Sequence, residues 1–293
     1  DAAFTAVSAT CVTGLIVHDT FLHWTLFGQL VILVMIQLGG LGLMAFSVTF
    51  SLLLRRRIGL KERGILQESV NTFQIGGIVK LVRRILLGTL LFEGAGAILL
   101  SFRFVGDFGF GKGLYYGIFH SVSAFCNGGF DLMGVRQAGS SLTFYAGDPL
   151  VNLTIIFLIL IGGIGFLVWD DLLKNKWHFR HYRLHTKLVL SMTVILLFGG
   201  ALFFYLLERD GVLAGEPVGK QILLSLFQSA TTRTAGFNTT DTAALSDSSK
   251  LCMVMLMFVG GNPGSTAGGI KTTTLAVLLI YLRSTLRKTK GAA

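Results

Sequence analysis

The chain of 293 residues is 52% hydrophobic and only 14% charged, with a mean hydropathy of +0.70, whereas soluble domains carry about a quarter charged residues. That balance excludes an ordinary water-soluble enzyme and makes lipid the solvent for most of the sequence. The formal net charge of +10 would suit a nucleic-acid binder, but 17 of the 25 basic residues fall in three short stretches, at 55–84, 174–187 and 283–290. They read as topogenic charge on a cytoplasmic face, so no nucleic-acid partner is expected.

In chain order, a half-apolar segment around Phe4 is too short to cross a bilayer and ends in Cys11, Val12, Thr13 and Gly14. A first span is predicted from Leu26 to Leu54, followed by the basic group Arg55, Arg56, Arg57, Lys61, Arg63, Lys80, Arg83 and Arg84. A second span, Val79 to Phe102, leads to another short segment around Phe119, which ends in Cys126, Asn127, Gly128 and Gly129. Spans from Leu150 to Leu173 and from Leu188 to Leu207 follow, flanking basic residues from Lys174 to Lys187. A third short segment around Phe227 ends in Thr234, Ala235 and Gly236, and a fifth span runs from Leu251 to Leu282. Asp19, Asp107, Asp131, Asp148, Asp210, Glu216, Asp241 and Asp247 mark the opposite, outer face. Loops at membrane depth survive only where protein or a water-filled cavity satisfies their backbone, so the three short segments are predicted to be re-entrant and to line a pore.

An internal repeat of about 110 residues supports this. The stretch Phe4 to Leu15 matches Phe119 to Phe130 with Phe, Val, Ser, Ala, Cys and Gly in register, and Phe227 to Phe237 is a third copy one residue shorter. Glycine pairs recur at comparable depth in the spans that follow, at Gly39-Gly40, Gly162-Gly163 and Gly260-Gly261. The expected fold is an all-α integral membrane protein of repeated helix, re-entrant pore loop and helix units around a central pore. Its units are 1–58, 59–175 and 176–293. The first unit lacks its leading helix, and a quasi-fourfold closure implies a fourth unit beyond Ala293.

A potassium filter replaces the hydration shell of the ion with backbone carbonyls, and glycine lets successive carbonyls turn inward while strands approach closely. Gly14, Gly129 and Gly236 are the filter candidates, with Cys11, Val12, Thr13, Cys126, Asn127, Gly128, Thr234 and Ala235 supplying carbonyls to K⁺. Half helices before them would aim their negative ends at the cation. Arg233 is expected behind the filter, bonded to carbonyls or to an acid such as Glu93 or Asp241. His120 reads as a packing residue, and the cysteines show no metal spacing.

The last span carries Gly260, Gly261, Asn262, Pro263, Gly264, Ser265, Thr266, Ala267, Gly268, Gly269, Ile270 and Lys271 in succession. Proline and five glycines should break it midway. A lysine at that depth costs about 2.5 to 3.5 kcal/mol on insertion scales and should face a cavity or a partner. The spacing of Gly269, Ile270 and Lys271 departs from a nucleotide P-loop, and no strand precedes it.

These motifs resemble the superfamily of potassium transporters that includes the Trk, Ktr and HKT types, and the Ktr membrane subunits in particular. The opening Asp1 to Leu15 is similar to their first pore loop and Thr232-Arg233-Thr234-Ala235-Gly236-Phe237-Asn238 to their third. The resemblance implies one filter glycine per unit, with Gly14 favouring potassium over sodium. It also implies that residues 260–271, through Lys271, form an intramembrane gate. A homodimer in the bacterial plasma membrane, seated on a cytosolic ring of nucleotide-binding regulatory subunits, is implied as well. The expected activity is potassium uptake, with potassium as cargo and no organic cofactor. A sodium-preferring or ion-coupled symporter is the alternative; it would need a second site, and Glu93 is the one embedded carboxylate in view. A membrane enzyme lacks any constellation of nucleophile, base and metal.

Overall fold

The computed structural model describes residues 1–42, 78–176 and 178–289. The far half of the predicted span Leu26–Leu54, the basic residues Arg55, Arg56, Arg57, Lys61 and Arg63, and Lys290 lie outside the described residues. Regular structure among the described residues is helical, apart from one isolated parallel bridge between Val259 and Ile270.

Helix α1 (Ala2–Thr10) opens the chain and is followed by the single turn α2 (Thr20–His23) and by α3 (Leu26–Leu41). Asp19 caps α2, its Oδ1 accepting from the N–H groups of Phe21 and Leu22 at 2.9 and 3.1 Å. Thr25 caps α3. The 31-residue α4 (Ile78–Phe108) is about 46 Å long at a rise of about 1.5 Å per residue, more than the roughly 30 Å hydrocarbon core. It turns at Gly109 straight into α5 (Phe110–Phe125), which folds back on it. Small residues let these two backbones touch: an added Cβ at Gly113 would meet the backbone of Val105, and one at Gly117 the carbonyl of Ala97.

Next come α6 (Pro149–Gly163), capped by Asp148 with Pro149 in its first turn, and α7 (Phe166–Asn175). The chain continues into α8 (Leu184–Glu208), α9 (Val218–Thr231), α10 (Asp247–Phe258) and α11 (Thr272–Thr289). Among the described residues, α4 and α8 are the helices long and apolar enough to cross a membrane unbroken. Two of the predicted spans are broken, the first of them against the sequence reading and the second as the proline and glycines imply. Leu150–Leu173 is not continuous but bends by 95° between α6 and α7. Leu251–Leu282 stops at Phe258 and resumes at Thr272.

The core is built around α5 and α6, where Tyr116, Phe119, Phe125, Val151, Ile155 and Leu158 are buried. Outward faces of α4, α8 and α10 expose Leu90, Phe102, Ile195, Phe198, Phe203 and Phe258. An exterior this apolar around an already apolar core is the arrangement expected when the surrounding solvent is lipid. At the outer end, Arg103 bonds Asp107 and Asp148, and Arg136 and the Tyr145 hydroxyl also reach Asp107. Asp148 is therefore a helix cap and an ion-pair member, not a free charge.

Candidate ion filter and intramembrane loop

Three short helices, α1, α5 and α9, each run into one of the glycine segments singled out from the sequence. The first two end identically. In α1, Val12 N–H donates to Ala9 O and Thr13 N–H to Ser8 O; in α5, Asn127 N–H donates to Ala124 O and Gly128 N–H to Ser123 O. This is the Schellman pairing, which needs a left-handed residue after the cap. Asn127 takes it readily at φ 58°, whereas Val12 at φ 54° is β-branched and carries a strain of about 1–2 kcal/mol. The third loop reaches the same conformation with one residue fewer: Thr234 has φ 62°, and Ala235 N–H donates to Thr231 O at 3.0 Å. In every copy a positive-φ glycine follows two residues later, Gly14, Gly129 and Gly236 at 77°, 69° and 86°.

A second shared device was not read from the sequence. The hydroxyl four residues after each leading phenylalanine closes its loop. Ser8 Oγ donates to Leu15 O at 2.7 Å, Ser123 Oγ to Phe130 O at 2.7 Å and Thr231 Oγ1 to Phe237 O at 2.6 Å. Sequence register had aligned Ser8 with Ser123, and that alignment was the available signal.

The glycine segments meet one another in order. A Cβ on Gly14 would stand 2.8 Å from Gly128 O, and one on Gly129 would stand 2.7 Å from Ala235 O. Gly14 and Gly129 thus present their bare faces to the carbonyl that precedes the next glycine, while a Cβ on Gly236 would face back onto the Gly129 Cα at 3.2 Å. Asn127 Nδ2 adds a tie by donating to Arg233 O at 3.2 Å. Just outside, the Asp131 carboxyl accepts from Met133 N–H at 2.9 Å. Burial pushes its pKa up to about 6, against the pull of that hydrogen bond and with a smaller contribution from Asp19.

Behind the second loop, buried Glu93 accepts from Gln37 Nε2 at 3.2 Å and lies 3.9 Å from Cys126 Sγ. Arg233 is 4% exposed, yet its Nε and Nη2 have no partner among the described residues. The expected bracing by Glu93 or Asp241 is absent: Glu93 faces Gln37, and Asp241 accepts from Ala243 N–H. His120 is held at both ring nitrogens, by Tyr116 O and Leu132 N–H, as a packing residue.

Residues 259–271 form a loop directly against these segments. Its ends pair with each other, Gly260 N–H to Ile270 O, Ile270 N–H to Phe258 O and Thr272 N–H to Gly261 O. Its middle bonds elsewhere. Asn262 donates to Gly163 O through its backbone (3.1 Å) and through Nδ2 (2.8 Å), and its Oδ1 accepts from the Thr272 hydroxyl. Thr266 N–H donates to Gly162 O, its Oγ1 to Phe125 O at 3.0 Å, and Gly268 N–H donates to Thr234 Oγ1 at 3.1 Å. Gly264 O accepts from Phe166 N–H at 2.7 Å. Lys271 Nζ donates to Ala267 O at 2.8 Å, so the half-buried lysine braces its own loop.

Comparison with known proteins gives a consistent picture. The family described as "TrkH: Cation transport protein" matches residues 1–292. The chain is 43% identical over 292 residues to Ktr system potassium uptake protein B of Bacillus subtilis, covering 99% of this chain and 64% of that protein. It is 38% identical over 295 residues to potassium/sodium uptake protein NtpJ of Enterococcus hirae, covering 100% of this chain and 64% of that one. The chain thus spans a little under two thirds of the length of these relatives. The crystal structure of the potassium transporter TrkH from Vibrio parahaemolyticus superposes with a TM-score of 0.75 at 20% identity, over 100% of this chain and 57% of that one. That likeness is one of fold.

Proposed function

This chain belongs to the TrkH family of cation transport proteins, and from that premise we propose that it forms most of a selective potassium pathway across the bacterial plasma membrane. One observation carries the reading: three loops share a left-handed residue and a positive-φ glycine two residues on, and Gly14 and Gly129 each turn a bare face to the next loop's carbonyl. Carbonyls so crowded, at the negative ends of three helices, suit a cation stripped of water. Cys11 to Gly14, Cys126 to Gly129 and Thr234 to Gly236 are the coordinating segments in this proposal. The stepwise contacts between loops support a quasi-fourfold ring to which this chain contributes units at 1–58, 59–175 and 176–293.

Residues 260–271 act as the gate. The support is their position: hydrogen bonds from this loop end on Phe125 O and Thr234 Oγ1, at the base of two filter segments. A homodimer and a cytosolic nucleotide-binding regulatory ring complete the proposal, in keeping with relatives named as parts of a Ktr system. The name of the Enterococcus relative, potassium/sodium uptake protein, favours one second reading, a pathway that also accepts or couples to sodium.

Flux of K⁺ and Na⁺ into liposomes holding the full-length protein tests this. Preferential K⁺ entry driven by gradient and voltage alone is the expected result. Entry only when both ions are present would replace the passive pathway with a coupled one.

A further inference from the structure

A cavity of about 400 Å³ opens between α4, α6 and α7, beside the 95° corner. Its wall is almost entirely carbon, from Leu87, Leu91, Phe92, Phe166 and Trp169. Charge enters at one end only. There Arg84 pairs with Asp170 at 2.6 Å, and Lys174 reaches the same carboxylate. Asp171 beside it is already engaged by Asn175 and by Arg183 N–H. Two cations, Arg84 and Lys174, thus share the single carboxylate of Asp170 at this basic, cytoplasmic edge, with Lys80 one turn before Arg84 on α4. From Arg84 to Phe92 the cavity follows α4 for about 12 Å. Phe166 and Trp169 are otherwise buried, so the space is a gap in the packed wall and not plain lipid-facing surface.

The wall is also the support of the intramembrane loop. Phe166 N–H holds Gly264 O, and Trp169 Nε1–H donates back across the corner to Ile161 O at 3.1 Å. Whatever fills the cavity presses on the residues that carry the loop.

We propose that this cavity binds one acyl chain of an anionic phospholipid of the cytoplasmic leaflet, its phosphate against Arg84, and that occupancy steadies the corner holding the loop. The apolar lining selects a hydrocarbon chain, and the surplus of basic groups at its mouth selects a negative headgroup. The binding half stands independently; the effect on flux rests on the gate reading above.

Native mass spectrometry of the full-length protein, equilibrated with phosphatidylglycerol or phosphatidylcholine, reads the binding half. Wild type should retain phosphatidylglycerol preferentially. Arg84→Gln should weaken that retention about tenfold and abolish the headgroup preference, and Leu91→Trp, which fills the cavity from an exposed position, should remove the bound lipid. Equal retention of both lipids, or retention unchanged in both variants, overturns the site. So does cross-linking from Leu91 to a second copy or to another segment of the chain, which would make protein the occupant. For the second half, K⁺ flux should differ between the two lipids in wild type and not in Leu91→Trp. Equal flux with binding intact overturns the coupling, whereas absence of any K⁺ flux in wild type counts against the pore reading instead.

Discussion

In the proposed three-unit arrangement, the second helices of the two later units both break beside a glycine pair, but they break in different ways. After Gly162-Gly163 the chain turns a 95° corner across Ile164 and Gly165 and is helical again at Phe166. After Gly260-Gly261 it stays out of helix until Thr272. The first unit follows the corner type as far as it is described: α3 ends with Gly42 at φ 81°, ψ 139°, close to Gly165 at φ 93°, ψ 142°. A corner leaves few backbone groups unpaired. The loop leaves many, and it satisfies them by borrowing carbonyls from the corner and from the filter bases. Structure held by borrowed partners can be released without unfolding its lender, which is the property a gate needs.

Variants at the corner and in the loop test that contrast, and one at the outer mouth sets its lower limit. The largest effect is expected at the corner itself. Gly165→Ala places a side chain at φ 93° and 2.6 Å from Pro263 O, which costs about 3 kcal/mol in backbone strain before the clash is counted. Thermal unfolding in detergent should show a marked fall in the midpoint, while Gly268→Ala, with open space around it, should barely move it. Equal midpoints would dissolve the distinction between corner and loop.

Deleting Gly264 to Gly268 removes the loop's bonds to Phe166, Gly162, Phe125, Asn127 and Thr234 and leaves in place the turns within each glycine segment. Basal K⁺ flux should rise with the folded yield retained; flux indistinguishable from wild type would make the loop a passive break. Thr266→Val is the gentler version. It removes the hydroxyl bond to Phe125 O, worth about 1 kcal/mol, so basal flux should rise about fivefold.

The smallest effect belongs to the outer mouth. Because burial raises the Asp131 pKa to about 6, its carboxylate is present above that pH and is lost as pH falls through it. Uptake at low external K⁺ should therefore drop about twofold between pH 7 and pH 5, and Asp131→Asn should flatten this step. A pH profile identical in the variant would assign the step elsewhere.

Much of this was legible in the letters because it recurs. Three copies of a phenylalanine-led segment ending in glycine marked the three glycine loops proposed as the filter, and composition pointed to lipid as the solvent. The loop at 260–271 was legible because proline and glycine cannot hide in a helix. The corner was not, since Leu150 to Leu173 contains no proline and reads as one apolar span. What turns it is non-local: Pro263 O and Gly264 O, about a hundred residues away, crowd Gly165 and hold Phe166. Val12 escaped notice for a local reason, as nothing about a valine announces a left-handed conformation. Arg233 misled because a buried guanidinium suggests an acid nearby, and Glu93 turned out to face Gln37 instead.

The central proposal, that the bare faces of Gly14 and Gly129 against neighbouring carbonyls set the width of one cation filter, is tested most directly at the middle loop. In full-length protein in liposomes, the ratio of K⁺ to Na⁺ flux should fall towards one in Gly129→Ser, because a Cβ there meets Ala235 O at 2.7 Å. An unchanged ratio in a variant that melts like wild type would remove Gly129 from the ion path and contradict the account.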